Sequence, residues 1–161
     1  AEHVTLRGTT VAVLGAGGAA RAAVYGIQQQ GGHAVVVCRD PRQGQALGDA
    51  LGCPVRPLAD LAAIGAAGLV NATPVGMAPA ADASPVPPAA LAGLRWVMDT
   101  VYTPRRTRLL ADAEAAGCLA IPGLGMLVHQ GAAQFALWTG REAPAALMHA
   151  VAAGALDWSV A

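Results

Sequence analysis

Seven residues, Gly15-Ala16-Gly17-Gly18-Ala19-Ala20-Arg21, carry the clearest chemical pattern in the chain. They read G-x-G-x-x-A, directly after the β-branched run Thr10–Gly15 and at the head of an Ala-rich helical stretch. In a strand–turn–helix setting each small residue has a task. Gly15 makes the tight turn, Gly17 lets backbone approach a pyrophosphate, and Ala20 lets the helix lie close to the strand. The free amides at the helix start then face phosphate oxygens, assisted by the helix dipole. Gly15, Ala16, Gly17, Gly18 and Ala19 are therefore the expected pyrophosphate site of a dinucleotide. Gly-rich turns after strands are common; the strand before this one and the helix behind it make it specific.

The other end of such a ligand meets the end of the second strand, where the chain reads Cys38-Arg39-Asp40-Pro41-Arg42. Arg39 and Arg42 have the charge and fork geometry to grip a 2′-phosphate, with Arg39 also able to lie over an adenine face, which favours NADP. Asp40 has two readings. Its carboxylate suits the ribose hydroxyls of NAD, or it caps a helix whose first residue is Pro41.

These groups need a frame, and short β-branched runs alternating with Ala-rich stretches supply one. Strands are expected at Thr10–Gly15, His33–Cys38, Pro54–Arg56, Gly68–Asn71, Trp96–Thr100 and Leu119–Ile121. Helices are expected at Gly18–Gln30, Arg42–Leu51, Leu58–Ile64, Thr107–Ala116, Met126–Trp138 and Pro144–Leu156. Val11-Ala12-Val13-Leu14 and Val35-Val36-Val37 do not alternate, as in strands covered on both faces. The expected fold is α/β: a Rossmann-type, doubly wound parallel sheet of six strands in the order 3-2-1-4-5-6, with helices on both faces. The Pro-rich stretch Ala78–Pro88 reads as a loop within it.

The 161 residues suit one domain spanning 1–161. Ten basic and ten acidic residues balance to zero, leaving no electrostatic footprint for nucleic acid or an anionic membrane. Apolar stretches are too short to span a bilayer, and no secretory leader is expected. Cys38, Cys53 and Cys118 form neither a disulfide framework nor a zinc pattern, which fits a reducing cytoplasm. His33, His129 and His149 are not at ligand spacing, so no metal is expected.

Four ordered stretches give the chain a resemblance to the C-terminal, cofactor-binding domain of the shikimate and quinate/shikimate dehydrogenases. They are Gly15–Ala19; Asn71-Ala72-Thr73-Pro74-Val75-Gly76-Met77; Asp99, Tyr102, Pro104, Thr107, Leu109 and Leu110; and Gly123, Met126, Leu127, Gln130, Phe135, Trp138 and Gly140. The resemblance implies NADP as cofactor, with Gly15–Ala19 on the pyrophosphate. Asn71, Thr73, Thr100, Gly123 and Met126 would line the nicotinamide side, and Tyr102 and Gln130 would reach the substrate's hydroxyl and carboxylate groups. Arg39 matches the family's 2′-phosphate clamp. Cys38 and Asp40 stand where the family carries Asn and Thr, and Arg42 lies one position early. Phe135 and Trp138 read as packing.

The family transfers a hydride between shikimate and NADP, giving 3-dehydroshikimate, while a Lys–Asp pair on a separate N-terminal substrate domain handles the hydroxyl proton. This chain contains no Lys; its ten basic residues are all Arg. No catalytic residue is therefore expected within it. The chain is expected to represent the cofactor domain without its substrate domain, to bind nucleotide, and to turn over shikimate poorly or not at all. Leu147, Met148, Val151 and Trp158 make the last helix apolar, either as a core stripe or as an exposed face that would drive dimerisation. An NAD-dependent quinate/shikimate enzyme and a non-catalytic nucleotide-binding module are the alternatives.

Overall fold

Six parallel strands form one sheet in the order β3-β2-β1-β4-β5-β6. They are β1 (Thr10–Leu14), β2 (His33–Cys38), β3 (Val55–Pro57), β4 (Gly68–Asn71), β5 (Trp96–Asp99) and β6 (Leu119–Ile121). The structure, a computed structural model, describes residues 4–158, with side chains described through residue 155. Central β1 pairs with β2 on one side, Val11 opposite Ala34, and with β4 on the other, Val11 opposite Gly68. The chain thus winds outward in one direction through β3, then returns and winds the other way through β6. This is the expected fold and order.

Both faces of the sheet are buried, which is why the central strands read as unbroken apolar runs. Val11 and Val13 pack with Ala20, Val24 and Ile27 of α1 (Gly18–Gln29) and Leu47 of α2 (Pro41–Leu51). On the opposite face, Ala12 and Leu14 pack with Leu61, Leu91 and, from α3 (Arg108–Ala115), Leu109 and Ala113. Gly68 and Trp96 are register partners on β4 and β5, and a Cβ on Gly68 would overlap the Trp96 indole. The missing side chain makes room for the ring.

Several element ends shift by one or two residues from expectation, and three differences have a clear local cause. Leu58–Ile64 is a 3-10 helix, confined between Pro57 and the left-handed Gly65, a span too short to favour a regular α-helix. Within the Pro-rich region a second 3-10 turn, Pro88–Leu91, ends the loop, and Val86 and Leu91 are buried core residues. Third, α4 (Leu124–Thr139) begins two residues before Met126, with Gly123 at its N-cap.

Beyond Val128, α4 leaves the sheet and packs against α5 (Ala145–Trp158). Gly131 admits Met148 there, since a Cβ on Gly131 would come within 3.1 Å of Met148 Cε. Leu137 and Trp138 are 81% and 76% exposed, and Leu147 and Val151 are each 62% exposed. Trp138 is therefore not packing, because its stretch of α4 has no sheet beneath it. Leu147 and Val151 of α5 stand on an exposed face, whereas Met148 is half-buried against α4; the side chain of Trp158 lies outside the described residues. Among the described residues no helix is long and apolar enough to cross a membrane. Cys38, Cys53 and Cys118 are free and buried.

Candidate functional site

The turn between β1 and α1 sits where the strand order reverses, between β1 and β4, at the carboxyl ends of the strands. Gly15 donates its amide to Val37 O at 3.0 Å and adopts φ +103°, a region that disfavours side chains. A Cβ there would also stand 3.0 Å from Ala72 O and from Thr73 Cγ2. Gly15 is thus required twice over, by its conformation and by the loop after β4.

Gly17 is different. Its backbone is extended, at φ −82° and ψ −167°, and a Cβ on it would meet nothing within 4 Å. Nothing inside the protein demands glycine at this position. No side chain caps α1 and no acidic residue stands in its first turn, whereas Asp40 caps α2 and Thr107 caps α3. Helix-start amides have no intrahelical partners. A bare backbone, uncapped amides and the positive end of a helix dipole together fit a pyrophosphate.

At the end of β2, Asp40 is the cap of α2 and Pro41 its first residue. Asp40 Oδ1 accepts from Arg42 N at 3.1 Å, while Arg42 Nε and Nη2 donate to Oδ1 and Oδ2 at 3.0 and 2.8 Å. These bonds hold the Asp40 carboxyl below the usual carboxylate range. Arg42, expected on a 2′-phosphate, is turned back on its neighbour instead. Arg39 is exposed and makes no ion pair among the described residues. Cys38 points into the core with Val36, and burial pushes its thiol up.

The third part of the site joins the ends of β4 and β5, where Asn71 and Asp99 are register partners. Both side chains are fully buried. Asn71 Nδ2 donates to Asp99 Oδ1 at 2.9 Å and to Val75 O at 3.2 Å; Asn71 Oδ1 accepts from Thr73 N and Oγ1 at 3.1 and 2.7 Å. The Asn71 amide, expected along the nicotinamide, is spent on this network and faces inward. Thr73, Thr100 and Gly123, expected on the same side, lie beyond it. Thr100 N donates to Asn71 O at 3.0 Å. A Cβ on Gly123 would lie 2.6 Å from Thr100 O and 2.8 Å from Asp99 O, so only glycine lets α4 begin here. Met126 is half-buried in the first turn of α4, Gln130 is exposed one turn on, and Tyr102 is 39% exposed in the loop after β5.

Asp99 and Thr107 are the site residues that sequence reasoning missed. Thr107 Oγ1 donates to Asp99 Oδ2 at 2.7 Å, and Val101 N to Asp99 Oδ1 at 3.0 Å. Burial pushes the Asp99 carboxyl above its ordinary value, against the pull of these bonds. Both residues stand in the Asp-x-x-Tyr-x-Pro-x-x-Thr stretch, but its spacing does not reveal that the two meet.

A cavity of about 590 Å³ opens at the opposite edge of the sheet, among Thr10, His33, Arg56 and Asp60. It lies at the amino ends of the strands, whereas doubly wound sheets bind ligands outside the carboxyl ends. Among the described residues no three His, Cys, Asp or Glu side chains gather as metal ligands.

Residues 123–152 match the family model for the shikimate 5'-dehydrogenase C-terminal domain. The chain is 41% identical over 155 residues to a shikimate dehydrogenase (NADP(+)) of Moorella thermoacetica, covering 89% of this chain and 52% of that one. It superposes with TM-score 0.83 and 38% identity on shikimate 5-dehydrogenase from Thermus thermophilus in complex with NADP(H) and shikimate, covering 94% of this chain and 56% of that one. Quinate dehydrogenase from Corynebacterium glutamicum in complex with NAD superposes with TM-score 0.77 and 34% identity, over 88% of this chain and 53% of that one. The chain therefore spans about half the length of the curated relatives it matches. Along most of its length the chain is similar to shikimate dehydrogenases, and what the family model matches in it is their C-terminal domain.

Proposed function

We propose that the chain is the NADP-binding half of a shikimate dehydrogenase, an oxidoreductase that reversibly reduces 3-dehydroshikimate to shikimate. The observation that carries this is Gly17: a glycine with no internal reason to be one, at the uncapped start of α1. Gly15–Ala19 hold the pyrophosphate through backbone amides. Arg39 meets the 2′-phosphate, joined by Arg42 once it leaves Asp40. Thr73, Thr100, Gly123 and Met126 border the nicotinamide, and Tyr102 and Gln130 reach toward the substrate's hydroxyl and carboxylate. The bound cofactor supplies the hydride.

Moving a hydride off a carbinol also needs a base for the hydroxyl proton. The chain has no Lys, and the Asp99 carboxylate is buried and committed to its own donors. The proton acceptor is therefore supplied by a second, substrate-holding domain, and the exposed apolar face of α4 and α5 is the surface it covers. By itself this chain binds nucleotide and turns over shikimate poorly or not at all. Three buried free thiols suit a cytoplasmic setting.

Calorimetric titration with NADP+ and NAD+ tests the proposal, with NADP+ expected to bind more tightly. Preference for NAD+ would favour an NAD-dependent quinate/shikimate enzyme, the reading that the acidic residue at position 40 invites. Binding of neither nucleotide would overturn both.

A further inference from the structure

We infer that Asp99 is a positioning residue for the nicotinamide side of the crevice: one buried carboxylate sets the loop after β4 and the loop after β5 in register with each other. The inference rests on the proposed NADP site and says which residue shapes half of it.

Three donors from three segments converge on this side chain. Asn71 Nδ2 comes from the end of β4 at 2.9 Å, Val101 N from the loop after β5 at 3.0 Å, and Thr107 Oγ1 from the cap of α3 at 2.7 Å. All three are neutral. Asn71 carries the hold onward, accepting from Thr73 N and Oγ1 and donating to Val75 O. Thr107 carries it the other way, accepting from Leu110 N at 3.3 Å as the α3 cap. The carbonyl of Asp99 also abuts Gly123, where α4 begins. Farther out, Ala78 N donates to Thr103 O at 3.0 Å, so the two loops are joined a second time beyond the carboxylate. Asp99 thus governs the near ends of both loops, which bear Thr73, Thr100 and Tyr102. Arg39 hangs on β2 and receives none of these bonds, whereas the Gly15 turn, on β1, takes no bond from them but abuts Ala72 and Thr73.

That separation of the site into two halves makes the role measurable. Asp99→Ala removes the shared acceptor; Asp99→Asn keeps one, since its oxygen can accept from Asn71 and Val101 while its amide donates to Thr107 Oγ1. NADP+ reports both halves of the site, and adenosine 2′,5′-bisphosphate reports only the Arg39 half. In the 161-residue chain, Asp99→Ala should weaken NADP+ by about tenfold or more while the bisphosphate stays within about twofold. The change in NADPH fluorescence on binding, which reads the nicotinamide's surroundings, should be lost with it, and Asp99→Asn should restore both. Thr107→Val, which removes one donor and leaves the other two, should give a smaller loss of the same kind and carries the test if Asp99→Ala does not fold. Parallel weakening of both ligands, or unchanged NADP+ binding in a folded Asp99→Ala chain, would overturn the inference alone. Failure of the unsubstituted chain to bind either ligand would overturn the NADP reading beneath it.

Discussion

Arg42 folds back on Asp40 at the start of α2, its guanidinium donating to both carboxylate oxygens while its amide takes the same carboxylate as a helix cap. One acidic side chain therefore both starts the helix and holds away a cation that a 2′-phosphate would use. Asp40→Ser keeps a capping oxygen, removes the charge and releases Arg42. NADP+ affinity should rise about threefold, the scale of an exposed ion pair, with NAD+ affinity unchanged. Calorimetry on the two nucleotides checks this; a fall in NAD+ binding would mean that Asp40 holds the ribose.

Gly17→Ser should separate stability from binding. The position has the extended backbone of an N-cap, room for a side chain, and no cap at present. Serine there should leave the fold intact or gain roughly 0.3 kcal/mol through capping. The same hydroxymethyl group should cost the nucleotide about tenfold or more in affinity, because it stands where phosphate must approach backbone. Thermal melts and titrations of one sample give both numbers. Equal affinity for the two chains would remove Gly17 from the site.

Asp99 should leave a pH signature on stability. Its carboxyl is raised from 3.8 by burial, so just above that value the native chain keeps a proton that the unfolded chain has released. The stabilisation from this group is complete below the unfolded value and declines as pH rises through the folded one. Asp99→Asn cannot titrate. Its unfolding free energy relative to the parent should climb with pH across that window and level off above it. Urea melts at closely spaced pH values would show the slope, and a flat difference would contradict it.

The α4–α5 face should make the isolated chain associate. Leu137 and Trp138 are exposed near the end of α4, and Leu147 and Val151 are exposed on α5, which packs against it. Sedimentation should show concentration-dependent dimers, abolished in the double variant Leu137→Glu, Trp138→Glu. As both are surface positions, stability should move by no more than about 0.5 kcal/mol. Nucleotide affinity should not change, because the face is remote from the turn at Gly15. A parent chain that stays monomeric at high concentration would refute the association.

The sequence by itself determined the sheet. Alternating apolar runs and helical stretches, with unbroken Val-rich strands, left few arrangements that bury both faces, and right-handed crossovers reduced those to the observed order. The turn from β1 into α1 was equally legible, because its requirements are local: small residues at set offsets between one strand and the next helix. Asp40 as a cap was legible too, since a cap and its helix are neighbours in the chain.

Only the tertiary structure decided what depends on residues far apart in sequence. Asn71 and Asp99 meet because β4 and β5 pair in register, and that pairing ties the Asn71 amide into a buried brace. Trp138 stands on a helix with the right apolar spacing for a core, yet α4 packs against α5 and leaves the indole 76% exposed. Spacing within an element says which residues share a face; only the packed fold says whether anything lies against that face.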